Sequence, residues 1–228
     1  MSKSPPANSQ REQGKRARTT RILEATAQIL ATDGYSALNM SDIAAAAEVT
    51  PPTIFNLIGR KEDLLLALSS AALEQLQSAM DAPPTAPTAE EIAQVLDAYT
   101  DVLGHDEPMY RALHIALETL QHQGSSASKV SGRFHEAGVL LTQTLKPLVD
   151  HPKLRGELTL ASISATLSPS IWALHYFWAH GQINRDQLNH ELKRSYFTAL
   201  AADATPQFKR DLCSQLKRLP PSPFRPSI

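Results

Sequence analysis

Asn39-Met40-Ser41-Asp42-Ile43-Ala44-Ala45-Ala46-Ala47-Glu48-Val49-Thr50-Pro51-Pro52-Thr53-Ile54-Phe55-Asn56 reads as two short helices joined by a tight turn. Asn39 is a favoured N-cap residue, Asp42 follows three residues on in the manner of a capping box, and Ile43 to Ala47 supplies small residues for close helix packing. Glu48-Val49 makes the turn. Thr50 then caps a second helix whose first turn holds Pro51 and Pro52, where missing amide donors matter little because those amides have no intrahelical partner. Two such helices are a device for reading a DNA major groove. The second would present Thr50, Pro51, Pro52, Thr53, Phe55 and Asn56, while Ile54 and Ile58 turn inward at four-residue spacing.

Upstream, Ile22, Ala25, Ile29 and Leu30 recur at helical spacing from Thr20 to Thr32, and Asp33-Gly34 ends that helix with a glycine suited to a left-handed cap. Residues 1 to about 14 are polar, contain proline and have no hydrophobic period, so they are expected to be unstructured. Downstream, Leu64, Leu65, Leu68, Ala72, Leu76 and Ala79 form the apolar stripe of a helix from Lys61 to Met80. The proline-rich stretch 81–88 reads as a connector. Thr88 and Glu91 offer a second capping box, and helical periods follow near 89–104, 107–123, 126–149, 158–180, 185–202 and 206–219. The expected fold class is all-α, with an amino-terminal three-helix unit and a larger helical domain.

The formal net charge of −1 conceals an asymmetry. Residues 1–61 hold eight Lys or Arg against five Asp or Glu, and the remainder holds fourteen against eighteen. A positive head on a negative body suits docking of one end onto phosphate. The single cysteine, Cys213, excludes an intramolecular disulfide and a Cys-based zinc site. None of the eight histidines has the His-x-x-x-His spacing of a metal face, so no metal and no cofactor is expected. There is no acid/base pair at informative spacing, nucleophile motif or glycine-rich phosphate loop, which argues against an enzyme. No signal-peptide core and no apolar run of spanning length is seen, so the expected location is the cytoplasm.

Taken together, Gly34-Tyr35, Ile43-Ala44-Ala45-Ala46-Ala47, Val49-Thr50, Thr53-Ile54-Phe55 and Lys61-Glu62-Asp63-Leu64 resemble the tetracycline-repressor (TetR) family of bacterial transcription regulators. The resemblance covers Arg18 to Leu64. It departs from the family pattern at Glu48, where a turn glycine is usual, at Phe55 for tyrosine and at Ile58 for phenylalanine. It implies a disordered basic arm at 1–17, a helix-turn-helix DNA-binding domain at 18–64, a helical effector-binding and dimerisation domain at 65–219 and a flexible tail at 220–228. The implied function is a ligand-responsive repressor that binds a palindromic DNA operator as a homodimer. The alternative is a helical ligand-binding or protein-interaction module whose head no longer reads DNA, since Glu48 sets a carboxylate where a groove would oppose one.

Within that frame Asn56 is the base reader, because its amide can pair bidentately with adenine, and Phe55 and the prolines suit thymine methyls. Lys15, Arg16, Arg18 and Arg21 lie where a basic segment can follow the phosphate backbone or enter the minor groove. Asn39, Ser41 and Lys61 stand at helix starts, where they can meet phosphate oxygens. Tyr99, Met109, Tyr110, His114 and Phe134 are candidates by family position for the pocket of a small-molecule effector. Trp172, His175 and Tyr176 belong to an aromatic concentration that suits either such a pocket or a dimer core in the region 158–202.

Overall fold

A computed structural model describes residues 7–80, 88–122, 138–143, 145–149 and 152–224. The helices are α1 (Ala7–Ala37), α2 (Met40–Ala46), α3 (Pro51–Leu57), α4 (Lys61–Ala79), α5 (Ala89–His105), α6 (Glu107–Gln121), the helical residues 138–143 as α7, α8 (Lys146–Val149), α9 (Leu160–Ala179), α10 (Arg185–Ala201) and α11 (Pro206–Arg218). The only extended pairing among the described residues is an isolated antiparallel bridge between Leu154 and Ala204. No helix among them is long and apolar enough to cross a membrane.

Two compact units are present, one within Met1–Ala72 and Pro108–Val130, the other within Leu73–Glu107 and Ser131–Ile228. In the first, α1 packs on α2 and α3, and α2 packs on α3. Ile22, Leu30, Ile43 and Ile54 are fully buried there, as are Leu64 and Leu65 of α4. Burial of a side chain of that size contributes about 1.5–3 kcal/mol, so these residues fix how the short helices sit on α1.

In the second unit α10 is central and packs on α9, α11 and α5. Its buried set includes Leu188, Leu192, Tyr196, Phe197 and Leu200, joined by Leu96, Trp178, Phe208 and Leu212. Reciprocal capping boxes start α5 at Thr88/Glu91 and α10 at Asn184/Gln187. A polar seam crosses this core. Lys193 Nζ donates to Asp97 Oδ1 at 2.6 Å, and Asn189 Nδ2 donates to the same oxygen at 2.9 Å and to Thr100 Oγ1 at 2.8 Å.

Four expectations need correction. Residues 7–17, expected as an unstructured arm, are the start of α1. Their Gln, Arg, Glu, Lys and Ala are helix formers, and the stretch propagates a helix nucleated by the core behind it rather than nucleating its own. The compact unit that holds the helix-turn-helix runs past Leu64 to Ala72, inside α4, whose apolar stripe has no break at Leu65, and it also takes in residues within Pro108–Val130. The helix expected over 126–149 is interrupted: Leu145 lies in a turn, its N–H donating to Thr142 O, and Pro147 disfavours a helix running straight through. The stretch 123–137 lies outside the described residues. Of the tail, residues 220–224 are tied down: Arg194 Nη2 donates to Pro220 O at 2.6 Å, and the Phe224 ring lies 4.9 Å from that of Phe177.

Candidate functional site

The helix-turn-helix is built by local hydrogen bonds. Asn39 Oδ1 accepts from the backbone N–H groups of Ser41 at 3.1 Å and Asp42 at 2.9 Å, capping α2. At the other end Val49 N donates to Ala44 O and Glu48 N to Ala45 O, the paired bonds of a Schellman turn. That turn needs a left-handed residue, usually glycine, and here it is Glu48 with φ 53°. A residue with a Cβ held there is strained by about 1–2 kcal/mol. The Glu48 carboxylate is 83% exposed, and one oxygen lies 3.4 Å from Arg21 Nη1.

Thr50 begins α3 with extended backbone, φ −97° and ψ 153°, and its hydroxyl bonds that of Thr53 at 2.9 Å rather than an amide. Pro51 occupies the first helical position. Ile54 is fully buried, whereas Phe55 is 49% exposed, and Pro52 and Asn56 are also exposed. Pro51, Thr53 and Ile58 are half-buried. The helix is thus anchored by one side chain and offers an apolar ring, a proline and an amide to solvent. The chain leaves α3 through Gly59 at φ 132°, where a Cβ would run into the Asp63 carboxylate. Asp63 needs that room, because the same oxygen accepts from Arg60 N and caps α4.

Arg16, Arg18 and Arg21 are exposed on α1, and Ser41 is exposed at the start of α2. Lys61 differs from the others. Its Nζ donates to Tyr35 O at 2.7 Å and lies 4.0 Å from the centre of the Tyr35 ring. Burial lowers the Lys61 pKa, and raises that of Tyr35 with help from the nearby Glu62 charge. Lys61 therefore serves as a clamp between the α1 exit and α4. Sequence reading missed this pairing, whose partners are 26 positions apart; the Gly34-Tyr35 turn was its only visible signal.

The effector candidates divide between the units. Met109 and Tyr110 are buried and His114 half-buried on α6, in the first unit; Phe134 lies outside the described residues. In the second unit Tyr99 is buried and its hydroxyl lies 2.6 Å from His175 Nε2. His175 Nδ1 is 2.7 Å from Ile171 O. A carbonyl only accepts, so Nδ1 carries the ring proton and Nε2 accepts from the tyrosine. Burial lowers the His175 pKa, and its bond to Ile171 opposes that shift. Trp178, one helical turn on, is buried and donates to Glu107 Oε1 at 3.1 Å. Trp172 faces outward, 45% exposed and stacked on Tyr176 at 5.7 Å. The run 172–178 thus has an inner and an outer face. A small apolar cleft near Leu148, Leu158 and Ile163 contains none of the candidates; Asp203 at its wall accepts from Gly156 N and Glu157 N. Among the described residues no cluster of His, Cys, Asp or Glu could hold a metal ion.

Residues 22–68 match the family profile described as bacterial regulatory proteins, tetR family. The chain is 24% identical over 166 residues to the HTH-type transcriptional repressor KstR of Rhodococcus jostii (strain RHA1), covering 71% of this chain and 76% of that one. Its fold is shared with a TetR-family regulator from Mesorhizobium loti MAFF303099, with TM-score 0.65, 14% identity, and 84% and 98% of the two chains covered. It is also similar to Thermus thermophilus FadR, a TetR-family repressor solved with lauroyl-CoA, with TM-score 0.61, 22% identity, and 82% and 97% covered. With a reading head of Schellman turn, proline-started helix and Gly59-Asp63 exit, residues 22–68 match the tetR family of bacterial regulatory proteins, and the chain is similar in fold to solved members of that family.

Proposed function

We propose that this chain is a ligand-responsive transcriptional repressor, acting in the cytoplasm rather than as an enzyme, that binds a near-palindromic DNA operator as a homodimer. The observation that carries the reading is α3: Ile54 is fully buried while Pro52, Phe55 and Asn56 are exposed on a helix held by its neighbours. Asn56 reads a base, Phe55 and Pro52 touch thymine methyls, and Asn39, Ser41, Thr50, Arg16, Arg18 and Arg21 bind phosphates. Dimerisation is assigned to α9 and α10. In its support, α9 carries exposed Ala161, Ala165, Pro169 and Trp172 on one broad face. An effector site near Tyr99 and His175 is supported by the bond between the buried Tyr99 and the half-buried His175 beside apolar residues. The relative FadR, solved with lauroyl-CoA, supports a sensing role for the larger helical region.

Selection of duplexes from a random library by the full-length chain tests the reading. The expected product is a near-palindrome with half-sites about 34–36 Å apart, or a multiple of that, bound in a salt-dependent manner. Asn56→Ala should cost about 1–3 kcal/mol and relax preference at one base pair per half-site. The second reading, a head that no longer binds DNA, is favoured by the left-handed, exposed Glu48. Absence of salt-sensitive binding in the native chain, with binding restored by Glu48→Gly, would replace the first reading with the second.

A further inference from the structure

The first three turns of α1 run ahead of the domain they belong to. The helix begins at Ala7, yet its first fully buried residue is Ile22. Between Gln10 and Arg18 every side chain is exposed, with only Gly14 half-buried. A helix that buries nothing has no packing reason to exist, but this one has a consistent chemistry. Arg11, Lys15 and Arg18 recur at spacings of four and three, so they share one face. The same register continues through Ile22, Ala25 and Ile29, the face by which α1 packs on α2 and α3. The basic stripe therefore prolongs the side of α1 on which the reading helix sits. Over Ala7–Arg18 four Arg or Lys stand against the single Glu12, and among the described residues no ion pair engages Arg11, Lys15, Arg16 or Arg18.

We propose that Ala7–Arg18 is a rigid helical rod whose Arg11, Lys15 and Arg18 bind DNA phosphates beyond the base pairs read by α3, lengthening the contact of each head. The inference rests on the DNA-binding reading of that head. Twelve residues of helix span about 18 Å. Duplex DNA carries a charge about every 1.7 Å, so the rod meets several phosphates along that length. Rigidity matters because a preformed row of charges loses less freedom on binding than a flexible arm. Gly14 is the weak point of the rod. Glycine lowers helix population, yet an alanine Cβ here would meet nothing nearer than Arg18 Nη1 at 3.7 Å.

The test uses the full-length chain and a duplex it selects from a random library, either trimmed to the selected sequence or flanked by about ten further base pairs of arbitrary sequence. Binding is measured by fluorescence anisotropy over a range of KCl concentrations. Arg11→Gln with Lys15→Gln should weaken binding to the flanked duplex by about tenfold at low salt and flatten the salt slope by about two per head. Base preference should be unchanged. Gly14→Pro keeps every charge but breaks the rod, and should reproduce that loss; Gly14→Ala should tighten binding two- to threefold. Circular dichroism and melting of the same variants check that the core beginning at Ile22 is intact. If Gly14→Pro binds as the native chain does, a flexible arm suffices and the rod is refuted. If the double variant leaves the slope unchanged, the segment does not touch DNA. If the native chain selects no duplex, the DNA-binding reading itself fails, and the rod with it.

Discussion

Glu48→Gly should make the chain slightly more stable and its hold on DNA tighter, and the two effects can be separated. Glu48 occupies the left-handed position of the turn after α2, at φ 53°. Glycine adopts that conformation freely, which relieves about 1–2 kcal/mol of strain. Against this, glycine loosens the unfolded chain by about 0.4–1 kcal/mol. The lost pair with Arg21 contributes little, about 0–0.5 kcal/mol, since the two side chains are 83% and 45% exposed. The net gain is about 0.5 kcal/mol, or a melting temperature higher by about 1–2 °C. For DNA, a carboxylate on the order of 10 Å from a phosphate in water opposes it by about 0.4 kcal/mol, a factor of two per head. Loss of the pair with Glu48 also strengthens the phosphate contact assigned to Arg21. Glu48→Gln removes the charge but keeps the strained backbone, so it should tighten DNA binding by a similar factor without raising the melting temperature. Thermal melts and anisotropy titrations over KCl decide the matter. A Glu48→Gly variant that melts below the native chain would refute the strain argument. A Glu48→Gln variant with native affinity and native salt slope would refute the electrostatic one.

Lys61→Met should lower stability by about 2–3 kcal/mol, the sum of a charge-assisted bond to Tyr35 O and a cation–π contact with its ring, and weaken DNA binding without changing the salt slope. A slope flattened by about 0.9 per head would instead assign Lys61 to phosphate. Ile54→Ala should destabilise by about 2–5 kcal/mol, whereas Phe55→Ala, half exposed on the same helix, should leave the melting curve within about 0.5 kcal/mol of native and still impair DNA binding; equal effects on stability would contradict the division of α3 into an anchoring and a reading face. His175→Gln should cost about 1 kcal/mol at pH 7.5 through the altered bond to Tyr99. Because burial lowers the folded His175 pKa, the unfolded chain takes up the proton first as pH falls below about 6.5; native stability then declines until the folded pKa is passed, and the gap between variant and native chain narrows. Urea melts at pH 7.5 and 5 showing a constant gap would exclude that linkage.

The parts of the head that were legible in sequence are those made by contacts within a few positions. Asn39 with Asp42 announces the start of α2 and caps it as read; Thr50 with Pro51 marks the start of α3, though the Thr50 hydroxyl turns to Thr53 instead of an amide; and Gly34, at φ 76°, kinks the backbone inside α1 where the sequence pattern ends the first core helix. Even the awkward residue was legible, because only the turn position after α2 demands a left-handed conformation and Glu48 occupies it. The Lys61 clamp on Tyr35 and the Asp97 seam on Lys193 were not, since their partners lie 26 and 96 positions apart.

The rod was missed for a different reason. Hydrophobic period reports a helix only where one face is buried, and Gln10–Arg18 buries none, so the helicity of this segment had to be read from propensity and from the register of Arg11, Lys15 and Arg18 with Ile22. The aromatic run shows the converse. Composition grouped Trp172, His175, Tyr176 and Trp178, while helical geometry divides them, carrying His175 to the buried Tyr99 and Trp178 to the half-buried Glu107 and leaving Trp172 on the outer face. A ligand-sensing role for His175 and a dimerising role for Trp172 are therefore compatible on one helix, because His175 is bonded to the buried Tyr99 while Trp172 is 45% exposed. Their substitutions should separate accordingly: Trp172→Glu should raise the dimer dissociation constant in sedimentation experiments and leave the pH dependence of stability native, and His175→Gln should do the reverse.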